Sequence, residues 1–124
     1  MNTEQHLSKA RRIVARLAAL DTAADAMAII DGTMIAGYHL GNAALHAHGV
    51  TAPATHFNTP SKFEVEPAAL PAAVTPVYET FARLEALRQR YVRSPNQPDA
   101  KVAAESMELL EALARLCDPQ APQR

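Results

Sequence analysis

Four histidines crowd the middle of this chain, His39, His46, His48 and His56. Neutral imidazole is a common ligand for divalent transition metals and titrates near neutral pH, so acid–base and metal chemistry are the first to weigh. Their spacing argues against a shared ion. On a helix His39 and His46 lie seven residues apart, nearly on one face but about 10 Å apart along the axis. A helix that grips one ion does so with ligands three or four residues apart, as in HExxH. His46 and His48 diverge by roughly 200° around the axis. No carboxylate stands three or four residues after His39 or His46, so the Glu-x-x-His pattern of carboxylate-bridged bundles is missing. The expectation is no metal and no cofactor, with the histidines on polar faces or at a helix C-terminus, where the dipole favours them.

The second candidate is the stretch ALRQRYVR. Arg88, Arg90 and Arg93 could bind phosphate bidentately, Tyr91 could stack a base, and His56 could join them from the preceding segment. The plainer reading is that cations favour a helix C-terminus and that Tyr91 is core. Nothing assigns a catalytic residue. GxSxG, the P-loop and the dinucleotide fingerprint are absent from the sequence. Cys117 precedes Asp118 among Glu and Leu residues, without the cations that lower a thiol pKa. Asp21 and Asp25 read as first-turn carboxylates facing a helix dipole.

Four helices must position these residues. The first is expected over about 4–19, with Asn2 or Thr3 as N-cap and Leu7, Ala10, Val14 and Leu17 as its apolar stripe. The second is expected over 22–48, capped by Asp21 and closed by Gly49 in the left-handed region. Met27, Ile30, Met34, Gly41 and Leu45 form its seam, broadened by Ile35 and Tyr38. Gly32, Gly37 and Gly41 each cost about 1 kcal/mol relative to Ala in an exposed helix interior. Three such penalties point to close approach of another helix or a ligand, and the three glycines are read as a helix-packing interface. The third helix is expected over 76–93, with Thr75 as cap and Pro76 in its first turn. The fourth is expected over 98–117 and carries Val102, Ser106, Leu109, Leu113 and Leu116.

Between the second and third helices, residues 50–74 contain Pro53, Pro60, Pro67 and Pro71 together with Phe57, Phe63, Val65 and Leu70. Such a length is unusual for a helix connection, and the apolar residues argue for a packed strap. The fold class is all-α: a single-domain antiparallel four-helix bundle with a long Pro-rich strap.

Composition agrees. In 124 residues there is no Trp and a single Cys, so no internal disulfide can form and a reducing cytoplasm is expected. MNTEQHLSKARR lacks the apolar stretch of a signal peptide, and no run is long enough to span a membrane. Twelve Lys and Arg against thirteen Asp and Glu give a net charge of −1, which excludes bulk attraction to nucleic acid. Sign alternates from helix to helix: basic in the first and third, acidic in the second, mostly acidic in the fourth. Mutual complementarity of neighbouring helices explains this, and a basic face from the first and third helices is the alternative.

The order of these features resembles the HEPN domain, a small helical bundle. In that family a long second helix like AGYHLGNAALHAHGV precedes an irregular segment with a His, here THFNTP. A third helix then carries an Arg shortly before a Tyr, here ALRQRYVR, and an Ala-rich acidic helix follows, here DAKVAAESMELLEALARL. The resemblance covers roughly residues 20–116 and rests on pattern and order. It implies dimerisation through helix faces and a place in toxin–antitoxin or defence systems. Ribonuclease members use an Arg followed four to six residues later by a His, and no arginine of this chain has that partner.

These readings converge on a small, non-catalytic helical interaction module, expected to be a homodimer or to meet a protein partner as a HEPN-like protein. The alternative is a nucleotide- or RNA-binding protein that uses the basic third helix.

Overall fold

The computed structural model describes residues 1–56, 59–62 and 66–123. It contains four helices, α1 (Thr3–Leu17), α2 (Ala26–Ala47), α3 (Thr75–Tyr91) and α4 (Ala100–Cys117), with short 3-10 turns at Pro60–Lys62 and Pro67–Ala69. Among the described residues there is no strand. The fold is an all-α bundle in which α2 packs against each of the other three helices, α3 also packs on α4, and both 3-10 turns pack on α3.

Local chemistry sets the helix ends. Asn2 caps α1 in a capping box, its side chain accepting from the Gln5 amide while the Gln5 side chain accepts from the Asn2 amide. The second helix starts later than its sequence suggests. The Asp21 carboxylate accepts from the amides of Ala23 and Ala24, but it closes a separate turn over 22–25, and regular α-helix begins only at Ala26. Asp25 turns back to accept from the Asp21 amide and gives α2 no side-chain cap. At its far end Gly49 takes φ +69°, a conformation costly for a residue with a Cβ. Asp99 rather than Pro98 opens α4, accepting from the Val102 amide.

The core explains why α2 tolerates small residues. Ile29, Ile30, Met34, Ala36, Leu40, Ala43, Ala44 and Leu45 are all buried. They reach around most of the helix, because neighbours cover it on three sides. Two expected seam residues do not join: Met27 and Ile35 are exposed. Gly32 and Gly37 mark close approaches inside the chain. A Cβ on Gly32 would stand 2.5 Å from Leu17 Cδ2, and one on Gly37 would stand 3.1 Å from Leu84 Cδ1 and from the Phe81 ring. Gly41 is buried on the same helix. The hydroxyls of Thr33 and Ser106, fully buried, donate to the carbonyls of Ile30 and Ala103 three residues back, so neither needs a distant partner.

Segment 48–74 is fastened to the helices at several points. The Glu85 carboxylate accepts from both the amide and the hydroxyl of Ser61, at 3.0 and 2.6 Å. The Tyr78 hydroxyl donates to the Pro60 carbonyl at 3.1 Å. Leu70 and Val74 are buried. Phe57, Phe63 and Val65, expected to anchor this segment, lie outside the described residues. At the other end of the chain, Arg11 of α1 grips Asp118 with two hydrogen bonds of 2.9 and 2.7 Å, and this pairing holds the Asp118 carboxyl below its usual range. The second ion pair among the described residues joins Arg88 of α3 to Asp31 of α2 at 2.8 Å.

Candidate metal centre

His6 lies on the face of α1 that carries Ala10, Ile13 and Leu17, and it is fully buried. That face packs on α2, which presents His39 and His46 two turns apart. His6 settles between them, with ring centroids 5.3 Å from His39 and 5.3 Å from His46. The gap that separates His39 from His46 along one helix is filled by an imidazole from another. The chain leaving α2 then returns His56 to the same place, 5.0 Å from His6 and 5.4 Å from His46. Tyr38 closes one side, its ring 4.9 Å from His39 and 6.0 Å from His6.

Hydrogen bonds set the orientation of these rings. His46 Nδ1 lies 3.2 Å from the Thr51 carbonyl oxygen and 2.9 Å from the Thr51 hydroxyl. A carbonyl only accepts, whereas the hydroxyl can donate or accept; a proton on His46 Nδ1 satisfies the carbonyl and leaves Nε2 with a free lone pair. His6 Nδ1 lies 3.0 Å from His39 Nδ1. Three ring nitrogens lack such a partner. Nε2 of His6, of His46 and of His56 are buried without a hydrogen bond among the described residues. Buried polar atoms are overwhelmingly satisfied, and three orphans in one cluster call for an explanation.

Geometry supplies one. His6, His46 and His56 each offer a ring nitrogen, and the three nitrogens all lie within 4.8 Å of one another. Zinc–imidazole bonds of about 2.0–2.1 Å place tetrahedral ligand nitrogens roughly 3.4 Å apart. A modest closing of the three rings meets that requirement. The electrostatics agree. Burial, followed by the neighbouring His39, His56 and His46, pushes the His6 pKa down to about 4. Burial also lowers His39, helped by Lys9 and His56, and lowers His56, helped by the amino terminus and His46. Neutral imidazoles are the form that ligates metals.

The structure therefore corrects the placing of His39 on a polar face, since it is buried, and brings His46 and His56 together with His6 from another helix. Ligands for one ion need not come from one helix. The sequence gives little sign of His6, which stands alone in its helix. The available signal was its register, one imidazole on the apolar face with Ala10, Ile13 and Leu17. His46 and His48 do lie at the C-terminal end of α2, His46 in its last turn and His48 exposed at the C-cap.

The arginine constellation divides. Arg88 and Arg93 line a cleft of about 370 Å³ with Met34, Ile35, Tyr38, Thr59 and Lys62. Arg88 is also tied to Asp31. Arg90 and Tyr91 do not line that cleft; the Arg90 guanidinium sits 5.3 Å from the Tyr91 ring centroid. His56 belongs to the histidine cluster. Tyr38, which the sequence offers as a seam residue or as the polar group of a pocket beside the strap, stands at both sites. Burial and the Asp118 charge push the Cys117 thiol up to about 12, away from the thiolate form. No model of a known protein family, no curated protein and no solved structure matches this chain.

Proposed function

We propose that this protein is a small helical binding module whose ligand is a divalent transition-metal ion of the nitrogen-preferring class, such as Zn²⁺, held by His6, His46 and His56. The observation that carries this reading is the group of three buried, unpartnered Nε2 atoms on histidines whose ring nitrogens lie within 4.8 Å of one another. Imidazole suits zinc, copper, nickel and cobalt, whereas magnesium and calcium prefer oxygen. The test is titration of the metal-stripped full chain with Zn²⁺ in competition with a chromophoric chelator. One equivalent bound, with Ca²⁺ and Mg²⁺ ignored, supports the reading. Binding that survives intact in both His6→Ala and His56→Ala rejects it.

A second reading rests on the cleft. Arg88, Arg93 and Lys62 stand beside Tyr38, which supports the nucleotide- or RNA-binding alternative with Arg88 and Arg93 as the phosphate contacts. The homodimeric and HEPN-like parts of the module reading rest on the sequence resemblance alone and stay proposals. Native mass spectrometry of the untagged protein tests the dimer and reports any retained metal or nucleotide in the same spectrum.

A further inference from the structure

We propose that His39 is a positioning residue of the metal centre, which sets the tautomer and ring orientation of His6. This inference rests on the metal-binding reading above and goes beyond it.

The two Nδ1 atoms stand 3.0 Å apart, a hydrogen-bond distance between groups that can each donate or accept. Two neutral rings satisfy this contact only when one Nδ1 is protonated and the other is not. If His39 donates, His6 carries its proton on Nε2, the atom that faces no hydrogen-bond partner in the cluster. That arrangement buries an unused N–H and blocks the metal. If His6 donates, its Nδ1 proton is used, its Nε2 lone pair is free, and all three candidate ligands present the same atom. The second arrangement is the one a metal requires.

His39 is well placed for this role and poorly placed to be a ligand itself. Its Nδ1 is committed to His6, and it is not among the histidines whose nitrogens converge. The Tyr38 ring meets it edge-on at 4.9 Å, with an interplanar angle of 73°, which restricts rotation of a largely buried side chain. His46 offers the same arrangement with a different acceptor, since the Thr51 carbonyl stands 3.2 Å from its Nδ1 and can take a proton there. A hydrogen bond behind each ligand is the usual means of orienting an imidazole on a metal, and losing it typically costs 10–100-fold in affinity.

The experiment compares wild type, His39→Leu and His39→Asn as full chains. Leu removes the acceptor, while the Asn side-chain oxygen sits close to where Nδ1 stands and still accepts. Zn²⁺ affinity is measured by chelator competition. The His6 tautomer is read by long-range ¹H–¹⁵N NMR of the zinc-free and zinc-loaded wild-type protein. We expect His39→Leu to bind zinc about 10–100-fold more weakly, His39→Asn to recover most of that loss, and His6 to carry its proton on Nδ1 in both wild-type samples. Equal affinity in all three proteins overturns the proposal while leaving the metal site standing. If His39→Leu does not fold, the wild-type tautomer decides, and a His6 proton on Nε2 in zinc-free protein overturns the proposal. Failure of wild type to bind zinc overturns both readings.

Discussion

The imidazoles of His6 and His56 stand 5.0 Å apart, centroid to centroid, at an interplanar angle of 69°. One belongs to α1 and the other to the segment after α2, so an ion bound between them ties together parts of the chain fifty residues apart.

Metal binding is therefore expected to raise thermal stability. A ligand that binds only the folded state stabilises it by about 2.7 kcal/mol at one hundred times its dissociation constant. For a domain of this size each kcal/mol is worth several degrees of melting temperature. Zn²⁺ should raise the wild-type transition by roughly ten degrees, and the increment should vanish in His6→Ala and His56→Ala. His56→Ala is the cleaner variant, because His6 is fully buried and its truncation also leaves a cavity. His48→Ala should keep the whole increment, since His48 caps α2 outside the cluster. Differential scanning fluorimetry with and without a chelator measures all four proteins.

The metal-free protein should lose stability in mild acid. His6 has an ordinary pKa of 6.5 when unfolded and about 4 when folded. A depressed histidine is charged more readily in the unfolded chain, so protonation favours unfolding. The His6 contribution is intact above about pH 6.5 and declines as pH falls from 6.5 towards 4. His39 and His56 are shifted in the same direction and steepen the loss. Urea midpoints measured from pH 7.5 to pH 4.5 check this. A flat profile in wild type, matching that of His6→Ala, contradicts it.

At the glycines, size should separate two kinds of contact. Gly37→Leu must displace Phe81 and Leu84, both fully buried, and overpacking of this kind costs about 1–3 kcal/mol or more. Gly32→Ala meets only the end of the Leu17 side chain, which can rotate away. The gain of about 1 kcal/mol in helix propensity offsets part of that cost. Chemical denaturation should place Gly37→Leu well below Gly32→Ala. Wild-type melting in Gly37→Leu would remove close packing as the reason for that glycine.

The cleft makes a salt-dependent prediction. A phosphate held by Arg93 and Lys62 displaces counterions, so affinity for a single-stranded RNA probe should fall as salt rises. The Arg93→Ala/Lys62→Ala double variant should weaken binding and flatten that dependence. Arg88 is the less informative target, because its removal also frees Asp31. Fluorescence anisotropy at two salt concentrations distinguishes these cases. Equal binding by wild type and the double variant excludes the cleft as the phosphate site.

The sequence by itself determined the elements. Stripes such as Leu7, Ala10 and Leu17 in α1, or Leu109 and Leu113 in α4, follow from the helical period, and these residues are buried as that period requires. Asn2 and Gly49 act at helix ends through groups within a few residues of themselves, which is why their roles could be read locally. Asp21 shows the limit of local reading. Its carboxylate caps a turn as its residue type suggests, yet the helix proper starts later, because Asp25 also bonds back to the Asp21 amide.

Only the tertiary structure decided the site. Helical spacing relates residues on one helix, and it correctly separates His39 from His46. It contains nothing about the distance from His6 on α1 or from His56 beyond α2, which depends on how α1 packs against α2 and where the following chain returns. The same holds for Tyr38, Lys62 and Arg93, three residues from different segments that share a cleft. Periodicity is a property of one element, whereas a binding site is a property of the distances between elements, and packing sets those distances.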